Sequence, residues 1–211
     1  MTACTICMIP VLGLLLYSFY TQAKRLEWAV KPVASALFLV AAVRSGAFAS
    51  AYGVAVFVSL VFAAAGDVLL VSRAQAPFRL GIFAFLLGHL LFLLAFLIRG
   101  VDWSWALAVS LVAAVPSWLV LRWVSPTLPA GLRTPVAVYL VVVTLMLGFA
   151  FGTWAARGDA LLPLGALMFY ASDFAVARDR FVKPGFINRA WGVPMYYFGQ
   201  LLLASTVAVE P

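Results

Sequence analysis

Charge is the first thing this sequence lacks. Asp, Glu, Lys and Arg make up 10% of its 211 residues, where a soluble domain carries about 25%. Apolar and aromatic residues make up 66%, against about 45–50% in soluble domains. This balance argues against a water-soluble globular fold. Histidine occurs once, at His89, and cysteine twice, at Cys4 and Cys7. That lone CxxC lies in an apolar run with no further Cys or His nearby, so it reads as packing and not as a metal site. No GxSxG elbow, HExxH pair or glycine-rich phosphate loop occurs, which disfavours serine nucleophiles and metal-assisted hydrolysis. No cofactor is expected. No Lys or Arg precedes the first apolar stretch, whereas Lys24 and Arg25 follow it. A cleaved leader is therefore not expected, and an N-out first helix is.

What the sequence does have is long apolar runs, at 6–22, 32–49, 52–72, 79–98, 103–123, 134–155, 161–177 and 189–207. About 20 apolar residues cross the hydrocarbon core of a bilayer. Inside lipid only helices and closed barrels satisfy the backbone. These runs are too long, and alternate too little, for barrel strands. The expectation is an all-α polytopic membrane protein of eight transmembrane helices, forming one helical domain over 1–211 with no room for a soluble one. Arg44 interrupts the second run and must snorkel to an interface.

The net charge of +7 would suggest nucleic acid in a soluble protein. Here the basic residues fall between apolar runs, so no nucleic-acid partner is expected. Eleven of the fourteen Lys and Arg lie in the connections after helices 1, 3, 5 and 7, among them Lys24, Arg73, Arg122 and Arg180. The positive-inside rule turns those connections to the cytoplasm and both termini outside, in a bacterial cytoplasmic membrane. A faint repeat accompanies this topology. Gly66-Asp67 followed by an apolar stretch and Arg73 matches Ser172-Asp173 followed by an apolar stretch and Arg178. Four helices separate the two segments, which suggests two parallel four-helix halves.

Ionisable groups at helix depth are costly in lipid, so each is a functional candidate. Asp67 and Asp173 fall roughly 6–8 Å inside the cytoplasmic ends of their helices, at about 1.5 Å per residue. His89 lies deeper, from the same side. Lys31 opens the second helix just before Pro32, the favoured first helical position. Tyr139 enters the same depth from helix 6. Tyr170 shares a face with Asp173, and Tyr197 shares one with Gln200. Asn188 is placed to cap helix 8. Ion pairs of Asp67 with Arg73, and of Asp173 with Arg178 or Arg180, would be the plainer reading, as helix-end anchors. Polar groups converging from several helices favour a shared cavity open to the cytoplasm. Two carboxylates there suit acid–base chemistry, one holding a proton and the other ionised beside a cation. The same groups could form the proton relay of a coupled transporter or channel, although the Asp-bearing segments lack the helix breaks of that class.

The segments carrying these residues resemble the lysoplasmalogenase family of small YhhN-like membrane hydrolases. The matching signatures are Lys31-Pro32, Gly66-Asp67-Val-Leu-Leu, Phe83-Ala-Phe-Leu-Leu-Gly-His89, Val136-Ala-Val-Tyr139, Gly165-Ala-Leu-Met-Phe-Tyr-Ala-Ser-Asp173 and Tyr196-Tyr197-Phe-Gly-Gln200. Tyr170 departs from the pattern, since the family often has an apolar residue there. The resemblance implies hydrolysis of the vinyl ether bond of a lysophospholipid, a lysoplasmalogen, to a fatty aldehyde and glycerophosphoethanolamine or glycerophosphocholine. Asp67 and Asp173 would be the catalytic pair. Lys31 and nearby arginines would take the phosphate, with His89, Tyr139, Tyr170, Asn188, Tyr197 and Gln200 as further substrate-binding candidates. The partners expected are this substrate and the membrane lipids.

Overall fold

The computed structural model describes residues 2–72 and 74–208. Eight α-helices follow in chain order: α1 (Thr2–Tyr20), α2 (Lys24–Arg44), α3 (Ala51–Val71), α4 (Gln75–Arg99), α5 (Trp103–Val124), α6 (Arg133–Arg157), α7 (Leu161–Ala177) and α8 (Phe186–Ser205). A π-helical turn, Arg178–Val182, extends α7. Among the described residues there is no strand. Seven of the helices lie within a few residues of the apolar runs, because the length of uncharged sequence sets both. α4 and α6 stop at Gly100 and Gly158, whose φ values of 103° and 81° suit a residue without a Cβ.

α2 departs from expectation. It starts at Lys24 and ends at Arg44, with Pro32 in its interior, not at the first helical position. Lys31 therefore sits within a helix and does not open one. The charged stretch helps to build this first part of α2. Glu27 lies in the first turn, where a carboxylate favours a helix N-terminus, and Lys24 Nζ reaches Glu27 Oε2 at 2.6 Å. Pro32 lacks an N–H, so the Trp28 carbonyl forgoes its helical partner.

Among the described residues seven helices are long and apolar enough to cross a membrane. α8 is the exception, because its 20 residues include Asn188, Arg189 and Gln200. It packs against α7, α2, α1 and α3, so its polar groups meet protein. Elsewhere Ile6, Leu14, Leu111, Val112 and Trp118 point outward, as side chains facing acyl chains do. The chain is an integral membrane protein. Its centre is apolar and aromatic, with Phe38, Phe92, Phe96, Phe169 and Met146 fully buried.

The packing repeats between the two halves. α1 pairs with α2 as α5 does with α6, and α3 with α4 as α7 does with α8. The halves then exchange helices, with α4 lying on α6 and α8 on α2. Glycines fix the register. A Cβ on Gly88 would lie 3.3 Å from the Ser59 carbonyl oxygen, and Ser59 Oγ donates to the Gly88 carbonyl at 2.6 Å. In the second half Gly165 and Gly199 meet. A Cβ on Gly165 would lie 3.0 Å from the Gly199 oxygen, and one on Gly199 would lie 2.9 Å from the Gly165 oxygen. Ser59 and Gly165 stand equally far before Asp67 and Asp173, and Gly81, Phe85, Gly88 and His89 are spaced as Gly192, Tyr196, Gly199 and Gln200. The repeat is thus longer than the Asp segments alone suggest. Its Arg73 lies outside the described residues.

Candidate functional site

A cavity of about 1220 Å³, counting its open mouth, penetrates the bundle from the end where α3 meets α4. Lys31, Asp67, Tyr139, Asp173, Tyr196 and Tyr197 are on its wall. α3 and α7 carry one carboxylate each at matching positions of the repeat, and the exchanged helices bring each its partners.

Asp67 is buried, with three donors around it. Lys31 Nζ of α2 stands 3.5 Å from Oδ1. Ser35 Oγ, one turn along α2, donates to Oδ2 at 2.7 Å, and Tyr196 OH of α8 donates to Oδ2 at 2.9 Å. An ammonium and two hydroxyls match the acceptor capacity of an ionised carboxylate.

Asp173 has different company. Tyr139 OH of α6 donates to its Oδ2 at 3.0 Å, and His89 Nε2 of α4 lies 3.6 Å from the same oxygen. Among the described residues no Lys or Arg pairs with it. Arg178 instead donates to Asn188 Oδ1 at 2.6 Å, and Arg180 donates to the Leu70 carbonyl at 2.6 Å. Asp67 takes its cation from Lys31; the alternative partner, Arg73, lies outside the described residues.

Aromatic rings fill the space between the two carboxylates. Tyr196 meets Phe169 edge-on at 5.4 Å between centroids and Phe85 at 5.8 Å. Phe169 lies 4.4 Å from the His89 ring, and His89 lies 5.2 Å from Tyr139. Of these rings Phe85, Tyr139 and Tyr196 are on the cavity wall, and π faces carry negative potential that favours a nearby cation. Nearer the mouth, Arg180 and Arg189 line the cavity, with Arg189 Nη2 held 3.2 Å from Asp179 Oδ2.

Three expected site residues do not line the cavity. Tyr170 OH donates to the Ala113 carbonyl at 2.7 Å and meets Ser117 Oγ at 2.8 Å, fastening α7 to α5. Gln200 is wholly buried, and its amide has no hydrogen-bond partner. His89 stands behind Asp173 and touches the cavity through it. Asn188 does not cap α8, whose N-cap is Gly185. Its Nδ2 donates to the Lys183 carbonyl at 2.7 Å, and its Oδ1 accepts from Arg178, so it secures the π turn. Ser35 and Tyr196 were not singled out from the sequence. Ser35 was findable, standing one helical turn from Lys31 on the same face. Tyr196 is hard to tell in sequence from its neighbour Tyr197, whose OH reaches the Lys31 carbonyl at 3.5 Å. Among the described residues no group of three His, Cys, Asp or Glu is arranged to hold a metal ion, and Cys4 and Cys7 are both free thiols.

Helices with lipid-facing sides around a cavity holding two carboxylates define a polytopic membrane protein with an intramembrane polar site. The chain belongs to the YhhN family, which it matches over residues 26–207. It is similar to lysoplasmalogenase TMEM86A of Bos taurus, 32% identical over 161 residues, which cover 74% of this chain and 65% of the relative. The Homo sapiens TMEM86A lysoplasmalogenase is 32% identical over 162 residues, with the same coverage of 74% and 65%. Lysoplasmalogenase TMEM86B of Sus scrofa is 29% identical over 180 residues, which cover 85% of this chain and 74% of the relative. The chain thus spans 65% of the length of the two TMEM86A relatives. No solved structure matches it.

Proposed function

We propose that this protein hydrolyses the vinyl ether bond of lysoplasmalogens, releasing a fatty aldehyde and a glycerophospho-base. The observation that carries the reading is the pair of carboxylates, Asp67 and Asp173, on one aromatic-walled cavity. The names of the relatives point the same way. A vinyl ether is cleaved by protonating its outer alkene carbon: the C=C electrons take the proton, and the ether oxygen supplies a lone pair to form an oxocarbenium ion. Water adds to that ion and gives up a proton, and the hemiacetal collapses to aldehyde and alcohol. One carboxylic acid supplies the first proton, and an ionised carboxylate stabilises the cation and receives the water proton. The rings of Tyr196 and Phe85, both on the cavity wall, add cation–π stabilisation.

Lys31 was expected to take the phosphate, but its ammonium faces Asp67 at 3.5 Å. In this reading the lipid phosphate falls to Arg180 and Arg189 on the cavity wall, while the alkenyl chain lies along its apolar side chains. The cavity mouth faces the cytoplasm and both termini lie outside, in keeping with the eleven-to-three division of Lys and Arg. Residues 1–211 act as one membrane-embedded unit.

The test is turnover of purified protein in detergent on three lysolipids at matched concentration: 1-alkenyl, 1-alkyl and 1-acyl. Aldehyde release from the alkenyl lipid alone is expected. An alkyl ether has no alkene carbon to protonate, and the sequence carries no GxSxG elbow to attack an ester. Cleavage of the ester at a comparable rate would replace this reading with a phospholipase.

A further inference from the structure

We propose that the two carboxylates have fixed and different roles: Asp173 delivers the proton to the alkene carbon, His89 is the positioning residue that holds Asp173 in its acid form, and Asp67 works as the ionised partner. This inference rests on the vinyl ether reading for its substrate, but its geometric basis is independent of it.

The His89 ring determines the argument. Its Nδ1 lies 2.7 Å from the Phe85 carbonyl oxygen, which can only accept, so Nδ1 carries the hydrogen. Nε2 is buried without a hydrogen-bond partner and faces Asp173 Oδ2 at 3.6 Å. Three states are open to the pair: a carboxylic acid beside a neutral imidazole, a carboxylate beside an imidazolium, and a carboxylate facing the Nε2 lone pair of a neutral imidazole, which their mutual repulsion disfavours. The ring is 1% exposed, and the pair is not in hydrogen-bond contact. Two separated charges in such a dry place lack the close geometry that offsets their desolvation. The neutral pair, with the proton on Asp173, is the state the surroundings favour.

The other groups facing Asp173 do not change this. Tyr139 of α6 donates to Oδ2 at 3.0 Å, and Tyr170, on α7 itself, directs its hydroxyl to α5. Among the described residues the contacts of Asp173 fall on Oδ2, and the residue is on the cavity wall, which leaves Oδ1 as the oxygen to meet substrate. Asp67 is the opposite case, since Lys31, Ser35 and Tyr196 supply an ammonium and two hydroxyl donors, the company an ionised carboxylate accepts. The repeat heightens the contrast. The exchanged helix α8 gives Asp67 a hydroxyl from Tyr196, whereas α4 gives Asp173 an imidazole from the following turn. In the reaction, the Asp173 carboxyl turns its O–H from the His89 side to the cavity, and that O–H bond breaks as the new C–H bond forms. The water that adds to the cation passes its proton to Asp67, and a proton then returns from Asp67 to Asp173 through cavity water.

Two measurements test this. Infrared spectra of the substrate-free protein at neutral pH, in H2O and D2O, should show a protonated-carboxyl C=O band that disappears in Asp173→Asn and persists in Asp67→Asn. The reverse pattern, or no such band, overturns the assignment whether or not the protein hydrolyses lysoplasmalogen. For turnover, His89→Gln and His89→Asn should each lower kcat by about 10²-fold, the scale of a misplaced reacting group, with KM changed only a few-fold. Both should shift the alkaline limb of the kcat–pH profile, and Lys31→Gln should leave that limb in place. Asn keeps a donor for the Phe85 carbonyl, so the second variant guards against misfolding of the first. If Lys31→Gln moves the alkaline limb and the His89 variants do not, Asp67 is the acid and the proposal is wrong. Absence of turnover in the wild type with the infrared band present would defeat the substrate reading while leaving the proton on Asp173.

Discussion

At the end of the bundle where α4 stops, polar side chains close on one another. Arg99 pairs with Asp159 at 3.0 Å, donates to Tyr52 OH at 3.2 Å and to the Thr206 carbonyl at 3.1 Å, and lies over the Tyr52 ring. Tyr52 and Thr206 share a hydrogen bond of 2.6 Å, and Arg157 Nε donates to the Arg99 carbonyl at 2.7 Å. This cluster ties α3, α4, the α6–α7 connection and the end of α8. At the opposite end the polar groups are arranged around a cavity, and among the described residues His89 Nε2 there is buried with no hydrogen-bond partner. Satisfied networks rigidify a fold; incompletely satisfied ones are costly and mark sites of chemistry. The first end holds the helices together, and the second uses the rigidity so obtained.

Substitutions at the two ends should therefore separate activity from stability. The largest effect is expected at the cavity. Asp67→Asn and Asp173→Asn keep size and hydrogen bonding but remove the acid–base function, and each should lower turnover by about 10²–10⁴-fold with little change in melting temperature. Activity within a few-fold of wild type in either variant removes that carboxylate from the mechanism. At the closed end, Arg99→Ala leaves Asp159 and Tyr52 without their cation. It should lower stability by about 2–3 kcal/mol, below the full value for a buried pair because both partners are partly exposed. Denaturant titration in detergent would measure this, while turnover per folded molecule stays near wild type. Lost turnover at undiminished stability in Arg99→Ala would break the comparison.

The sequence makes depth legible and direction much less so. Apolar run length disclosed the eight helices, and the cost of charge in lipid disclosed Asp67, His89 and Asp173. α2 was misplaced because Lys24, Arg25, Glu27 and Lys31 look like a loop between spans. In the structure Lys24 and Glu27 pair along the helix, and Lys31 turns inward to Asp67. Polar residues on one face divided by depth. Tyr196 is on the cavity wall, whereas Gln200, a turn further along nearly the same face of α8, is wholly buried beyond it. Which helices lie across from one another decides such cases, and that follows from the exchange of α4 and α8 between halves, signalled in the sequence only by widely spaced glycines.

Tyr170 gives the smallest effect and the finest test of this point. Three residues separate it from Asp173, which on an α-helix leaves the two side chains about 60° apart. That angle is enough to direct Asp173 into the cavity and the Tyr170 hydroxyl to α5, where it donates to the Ala113 carbonyl at 2.7 Å and meets Ser117 at 2.8 Å. α5 has few other polar ties to the bundle, the Ser117–Thr144 contact at 2.7 Å being one. Tyr170→Phe should keep the ring packing against Phe174, 4.7 Å away between centroids, and lose the hydroxyl contacts. The expected cost is about 1–2 kcal/mol, the net value of a buried hydrogen bond plus an acceptor left unsatisfied. Turnover and its pH profile should match the wild type. A Tyr170→Phe variant that unfolds normally but turns over tenfold more slowly would return this hydroxyl to the active site and show that α7 presents a broader face to the cavity than its geometry indicates.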